Sequence, residues 1–291
     1  MSTDASGNRV MAGIGLGMIA YSFFSMHDAA NKWLVGGLPV WQVLFFRSCT
    51  VVLACLVFGR GRLLARAIET PLKLALMLRG LLTLTAWLLY YTAARSMSLA
   101  QLMTLYYSSP LMTALLAVPM LGERVTKSRW MSLGLGFTGV LVASDPFGVR
   151  ATVATGLVLA AAALWGYAII LMRQIARRES TLLQMLSQNL CFLVCTSVMT
   201  ALTWVTPTPL QLALLLGIGV FGGLGQFILF EAVRLAPASV MATVEYTGLL
   251  WAFGLGYLVW GDVPSLSIVA GAALILTSGI LLLVMERRAE R

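Results

Sequence analysis

The sequence predicts an all-α integral membrane protein of ten transmembrane helices, arranged as two inverted five-helix repeats over residues 1–147 and 148–291. Three observations predict it. Apolar residues fill 59% of the 291 positions and charged residues only 11%, where a soluble domain carries roughly 25% charge. The apolar residues gather into ten stretches, each close to the ~20 residues that a helix needs to cross the hydrocarbon core. The chain also repeats itself. Pro71-Leu72-Lys73-Leu74 returns 138 places later as Pro209-Leu210-Gln211-Leu212. Arg95, Thr104, Tyr107 and Gly122-Glu123 return as Arg234, Thr243, Tyr246 and Gly261-Asp262 at a spacing of 139. Leucine and alanine matches carry little weight in so apolar a chain. Proline, arginine, tyrosine and glycine-plus-acid recurring in order do. An odd number of crossings per copy turns the second copy upside down in the bilayer.

The stretches follow in order. Span 1, near 10–34, is too long for the ~7–15-residue apolar core of a signal peptide, so it is read as an uncleaved anchor. Span 2, 39–58, starts at Pro39 and ends before Arg60, Arg62 and Arg66. Span 3, 72–94, opens after Pro71, and span 4, 98–120, carries Pro110 as an expected kink and stops at Gly122-Glu123. Span 5 covers 128–144, ahead of Pro146, and span 6 covers 153–175, ahead of Arg177 and Arg178. Spans 7 to 10 occupy 182–205, 210–233, 238–260 and 265–285, with Pro209, Pro237 and Pro264 at their starts. Proline at a helix start removes only a backbone donor that has no intrahelical acceptor there. The gaps at 59–71 and 145–152 are too short to fold as soluble domains.

Twenty basic residues against eleven acidic ones leave a charge of +9. The basic residues sit in short clusters between apolar runs, which fits membrane loops and not a nucleic-acid surface. Alternate gaps hold Arg60, Arg62, Arg66 and Lys73, then Arg124, Lys127 and Arg129, then Arg173, Arg177 and Arg178, then Arg287, Arg288 and Arg291. The opposite gaps hold only Lys32, Arg95 and Arg150. The positive-inside rule therefore places both termini in the cytoplasm. Cys49, Cys55, Cys191 and Cys195 lie inside apolar segments without CxxC spacing and are read as packing thiols.

An ionisable residue inside a span costs at least about 2.5 kcal/mol, so each needs a partner or a purpose. Asp28 and Lys32 stand four apart and are expected to pair, as are Glu231 and Arg234 three apart. Arg47 in span 2 and Glu245 in span 9 have no local partner. Either they bridge across the bundle, or Glu245 holds a substrate ammonium or a coupling proton. His27, Asp28 and Glu245 are the coupling candidates. Arg79, Trp87, Tyr90 and Tyr91 in span 3, Gln101, Thr104, Tyr107 and Ser108 in span 4, Trp165 in span 6, Gln226 in span 8 and Tyr246 in span 9 suggest a wet, aromatic-lined cavity. Of these, Arg47, Arg79, Trp87, Tyr107, Ser108, Trp165, Gln226, Glu245 and Tyr246 are the candidate substrate-binding residues, with Arg79 or Arg47 as a carboxylate partner. The run Gly217, Gly219, Gly222, Gly223, Gly225 in span 8 reads as a place to bend or slide. No catalytic residues, cofactor or metal are expected. The chain has one histidine and no GxSxG, P-loop or HExxH pattern, and adjacent His27 and Asp28 point about 100° apart on a helix.

Tyr107-Ser108-Ser109-Pro110-Leu111 followed by Leu121-Gly122-Glu123-Arg124 resembles the signature of the drug/metabolite transporter superfamily in its ten-helix EamA-type branch. The second copy is more degenerate, with Leu249 in the place of Pro110 and Asp262 in that of Glu123. The resemblance implies a basket of ten helices with both termini inside and a central cavity lined by spans 1, 3, 4, 6, 8 and 9. It also implies a secondary transporter of the bacterial inner membrane, exporting small metabolites such as amino acids, aromatic ones included. Sugar-phosphate exchange is the alternative, and a channel or membrane scaffold the remoter ones. The expected partners are a small-molecule metabolite and the lipid bilayer, with no nucleic acid, and the expected state is a monomer. Four-helix relatives carry a membrane-embedded Glu in their first helix. Span 1 here offers Asp28 nearer its far end, a departure that leaves proton exchange open.

Overall fold

The computed structural model describes residues 2–59, 62–97, 99–122, 126–144, 153–261 and 266–289. Outside them lie the 147/148 repeat boundary, Arg60, Pro146, Arg150, Glu123, Arg124, Asp262, Pro264 and Arg291, and the side chains of Gln101, Thr104, Leu249, Arg287 and Arg288. The described residues form α-helices and their connections. In chain order these are α1 Ser2–Leu34, α2 Val40–Phe58, α3 Arg62–Glu69, α4 Lys73–Ala94, α5 Leu99–Tyr106, α6 Ser109–Leu121 and α7 Lys127–Ser144. After them come α8 Val153–Ala176, α9 Thr181–Leu202, α10 Pro209–Leu235, α11 Ala238–Glu245, α12 Thr247–Trp260 and α13 Leu266–Ala289. Six of these, α1 from Arg9 onward, α2, α4, α8, α9 and α10, are long and apolar enough to cross a bilayer on their own.

The helices fall on the ten expected stretches with three differences. A short helix, α3, occupies the polar gap after span 2. Its Leu63 is buried, while Ile68 is exposed, so one face docks and the other does not. Span 4 is interrupted at Tyr107-Ser108, and α6 restarts with Pro110 in its first turn. Span 9, expected to be continuous, is interrupted at Tyr246, between α11 and α12. The two interruptions fall at the residues that the 139-residue spacing equates. So do the two stops: Gly122 (φ 64°) and Gly261 (φ 72°) close α6 and α12 in the left-handed conformation that a side chain resists.

The helix neighbours also exchange between halves. α1 packs along α10 and α4 along α8, that is, span 1 with span 8 and span 3 with span 6. α2 meets α9 and α7 meets α13, each pairing a span with its counterpart.

α10 runs unbroken from Pro209 to Leu235, capped by Thr208 and Gln211 in a reciprocal capping box. Its glycines allow close approach here. A Cβ on Gly222 would lie 2.6 Å from His27 Cδ2 and 3.0 Å from Arg47 Nε. Gly222→Ala is therefore expected to destabilise the protein by about 1–3 kcal/mol through overpacking. Denaturation in detergent checks this, with Gly217→Ala, whose Cβ would meet nothing within 4 Å, as the control.

At the end of the bundle where α4 starts and α8 and α10 finish, polar contacts tie the helices together. The Thr70 hydroxyl donates to Glu179, and Arg234 Nη1 donates to the Glu179 carbonyl at 2.9 Å. The Thr181 hydroxyl donates to Glu231, and Arg173 donates to the carbonyls of Val233 and Ala236. The expected Glu231–Arg234 pair is thus replaced by contacts to α9 and to the connection that leads into it, whose Thr181 and Glu179 reach the two side chains. At the other end a wide vestibule is lined by Lys32, Trp41, Leu89, Arg95 and Thr203.

Candidate functional site

Helix α1 brings Tyr21, Phe24, Ser25, His27 and Asp28 to the bundle axis at helical spacing. α4 brings Trp87, Tyr90 and Tyr91, the α5–α6 interruption brings Tyr106 and Tyr107, α8 brings Trp165, and α11 ends at Glu245. Together they line one cavity. Eight of the lining residues named are aromatic, and the polar groups are few and convergent, as in small-molecule sites.

Glu245 is the centre of its polar side. It is 3% exposed, and its carboxylate accepts from the Ser109 hydroxyl at 2.8 Å and the Tyr21 hydroxyl at 3.3 Å. Among the described residues no cation is recorded against it. The helix break explains its position. Because α11 stops at Glu245 and α12 starts at Thr247, the carboxylate sits at an end of a half-helix, where it meets the start of α6. The rings of Tyr107 and Tyr246 stand side by side behind it, centroids 6.2 Å apart. Tyr107 fits only because Gly248 is bare, since a Cβ there would lie 2.2 Å from the Tyr107 hydroxyl.

A second polar cluster surrounds Arg47, which is fully buried. Its Nε donates to His27 Nε2 at 3.2 Å, its Nη1 to Asn189 Oδ1 at 3.0 Å and its Nη2 to Gln226 Oε1 at 3.1 Å. The guanidinium also lies 4.4 Å over the Trp87 ring, a cation–π contact worth up to about 2 kcal/mol when desolvated. Arg47 thus sits between Trp87 and Gln226, the two residues that the repeat equates. A guanidinium only donates, so His27 Nε2 must accept. A neutral His27 ring then carries its proton on Nδ1, facing Asp28 Oδ1 at 3.3 Å. Asp28 also accepts from the Tyr91 hydroxyl at 3.2 Å.

Arg47 and Glu245 each bridge to other helices, through neutral groups in separate clusters and not to one another. These contacts also correct three expectations. Asp28 is held by Tyr91 and His27, while Lys32 Nζ reaches the Met97 carbonyl at 3.2 Å. The neighbours His27 and Asp28 do touch, because the aspartate side chain is long enough to swing across the 100° between them. Ser108 bonds the Leu105 carbonyl at 2.8 Å, and Ser109, which sequence reasoning passed over, is the residue that meets Glu245.

The remaining candidates divide between two spaces. Trp87, Tyr107, Trp165 and Glu245 line the aromatic cavity together with His27 and Asp28. Tyr246 packs with its ring tilted against Tyr107 and does not line it. Arg79 and Gln226 line a smaller compartment that shares Phe24, Trp87 and Trp165 with the first. Tyr21, Asn31 and Asn189 belong to the site and went unnoticed. Only their polarity inside apolar spans could have drawn attention to them.

A bundle of apolar helices around a buried polar cavity, with two interrupted helices meeting at it, is the architecture of a membrane transporter. The chain belongs to the EamA-like transporter family, whose model matches twice, over residues 11–144 and 153–285. The pseudopaline exporter CntI of Pseudomonas aeruginosa is 30% identical over 278 residues, covering 93% of this chain and 95% of the relative. An S-adenosylmethionine uptake transporter of Rickettsia felis is 26% identical, covering 96% and 95%. A riboflavin transporter of Rhizobium johnstonii is 27% identical, covering 98% and 95%. A solved crystal structure superimposes with a TM-score of 0.77 over 98% of this chain and 99% of its own, at 15% identity, which speaks to fold alone.

Proposed function

We propose that this multi-pass membrane transporter exports a small amphipathic metabolite across the bacterial inner membrane by alternating access, with amino acids, aromatic ones included, as the leading class. The observation that carries the proposal is the Glu245 carboxylate. It is buried among aromatic rings and held by two hydroxyls, and no cation is recorded beside it among the described residues. A carboxylate in such a place needs a positive counterpart, and a substrate ammonium or a proton supplies one. The aromatic walls suit an apolar or planar side chain.

Further support comes from several directions. The family model matches once per half, helix contacts exchange between the halves, and the interruptions at Tyr107 and Tyr246 correspond. All three fit two repeats of opposite orientation, divided near 147/148. The loop charges favour cytoplasmic termini. The named relatives carry different solutes, among them S-adenosylmethionine, itself an amino acid bearing a planar base. A sugar-phosphate exchanger would bring several cations to one anion. Here Arg47 and Arg79 lie in different clusters with partners of their own, which weighs against that reading. A scaffold would have no need of a cation-free acid at its core.

The test is flux. Proteoliposomes loaded with labelled phenylalanine are expected to release it saturably and faster than protein-free vesicles. Imposing a pH gradient separates a proton antiporter, whose rate follows the gradient, from a facilitator. Release no faster than from empty vesicles, across a panel of amino acids, would overturn the proposal.

A further inference from the structure

Three helices long and apolar enough to cross a bilayer, α2, α9 and α10, leave a groove between them that opens outward from the bundle. Phe58 on α2 and Val220 and Leu224 on α10 stand along its edges and are exposed, while Val51, Cys55 and Met185 are buried beneath them. Gly219 and Gly223 hold it open, because α10 puts no side chain at these two positions. Thr50 brings the one hydroxyl among the described lining residues, and it donates to the Phe46 carbonyl at 3.1 Å. Nothing in the groove is left to hold a polar solute.

The groove also has a length and an end. It runs from Thr50 to Phe58 along α2 and from Gly219 to Phe227 along α10. Eight steps of 1.5 Å make about 12 Å, close to one leaflet of a hydrocarbon core about 30 Å thick. Beyond Phe58 lies α3, folded back so closely that a Cβ on Gly59 would meet Leu63 at 2.9 Å. At about 100° per residue α3 carries three strips. Leu63 is buried, Leu64 and Ile68 are exposed, and Arg62 and Arg66 are exposed on a third side. An uncovered apolar strip beside a basic one is what a helix lying in the headgroup layer presents. Arg66 shares a surface hollow with Arg178, Glu69 and Glu179, and Arg177 beside them is exposed. With Arg62, four arginines against two acids leave this rim positive. Among the described residues no ion pair is recorded for Arg62 or Arg66.

We propose that this groove is a binding site for an anionic phospholipid, with one acyl chain lying between α2 and α10 and the headgroup held by Arg62 and Arg66. The apolar walls accept the chain, and the rim selects the headgroup by its charge. The lipid is a bound component and not cargo, so the site stands whichever solute is carried.

Native mass spectrometry of the detergent-purified protein, incubated with equal amounts of dioleoyl phosphatidylglycerol and dioleoyl phosphatidylcholine, tests it. The chains are the same and only the headgroup charge differs. One basic residue at an anionic lipid surface is worth about fivefold in binding. Wild type is therefore expected to retain phosphatidylglycerol over phosphatidylcholine by about tenfold or more. Arg62→Gln combined with Arg66→Gln should bring the ratio within about threefold. Lys127→Gln, which removes a charge on α7, should leave it unchanged. Ala54→Trp, at an exposed position in the groove wall, should cost one retained lipid of either kind by blocking the chain. Dihexanoyl phosphatidylglycerol, with the same headgroup on short chains, should displace the long-chain lipid at least about tenfold less well. A wild type that retains both lipids equally overturns the site. So does a double variant that keeps the full preference, a Lys127→Gln variant that loses as much, or an Ala54→Trp variant that retains as much lipid as wild type. A short-chain lipid that competes equally overturns the groove as the place of the chain. Should a variant fail to fold, the wild-type ratio and the short-chain competition still decide.

Discussion

Glu245→Gln is expected to lower phenylalanine flux at least about tenfold while leaving the protein folded. Glutamine keeps an acceptor oxygen for one of the two hydroxyls, which bond different oxygens of the carboxylate, and turns an amide N–H toward the oxygen of the other; with nearly the same shape, the packing at the helix interruption survives. What disappears is the charge. A hydrogen bond to a charged group contributes about 1.5–3 kcal/mol, or roughly ten- to hundred-fold in binding. Initial rates in proteoliposomes measure the loss, and the melting temperature in detergent shows whether the fold is intact. The same variant separates the two roles of the carboxylate. If Glu245 carries a coupling proton, the variant's remaining flux no longer follows a pH gradient that drives the wild type. Flux at the wild-type rate would show that the acid neither binds substrate nor couples.

Arg47→Leu should have the largest effect on stability. Removing the guanidinium orphans Asn189 Oδ1, at about 1–3 kcal/mol for a buried acceptor left unsatisfied, and takes a charged donor from His27 Nε2 and from Gln226 Oε1. It also takes the cation from the Trp87 face and leaves space that α1, α2, α9 and α10 cannot fully close. A total of about 3 kcal/mol or more is expected. Arg47→Lys should recover only part of it, since one ammonium cannot reach acceptors spread over three helices. Thermal and denaturant unfolding in detergent measure both. A melting point within about 2 °C of wild type, less than 1 kcal/mol for a chain of this size, would refute the view of Arg47 as the tie between these helices.

The sequence reveals the repeat because proline, tyrosine and glycine mark backbone positions, and backbone positions survive divergence. Tyr107 and Tyr246, Gly122 and Gly261 fall where the spacing puts them. The interruptions they flank were only half legible, since Pro110 announces one and nothing announces the other. That is why Ser109 was missed. A break resets the 100° helical phase, so reading inward from span 4 selects Ser108, whose hydroxyl turns to Leu105. The charged groups failed for a different reason. Pairing Glu231 with Arg234, or Asp28 with Lys32, assumes that partners lie on the same helix. In a bundle the closer donor often belongs to a neighbour, here Thr181 for Glu231 and Tyr91 for Asp28. That Arg47 gathers His27, Asn189 and Gln226 depends on three helices meeting, which no local spacing records.

The contact between Tyr107 and Tyr246 has one more implication. Each ring stands at the interruption of a different helix, so a shift at one interruption has to displace the ring at the other. Two joints that touch in this way are geared like meshed teeth. Such gearing needs no signal beyond the contact between two side chains.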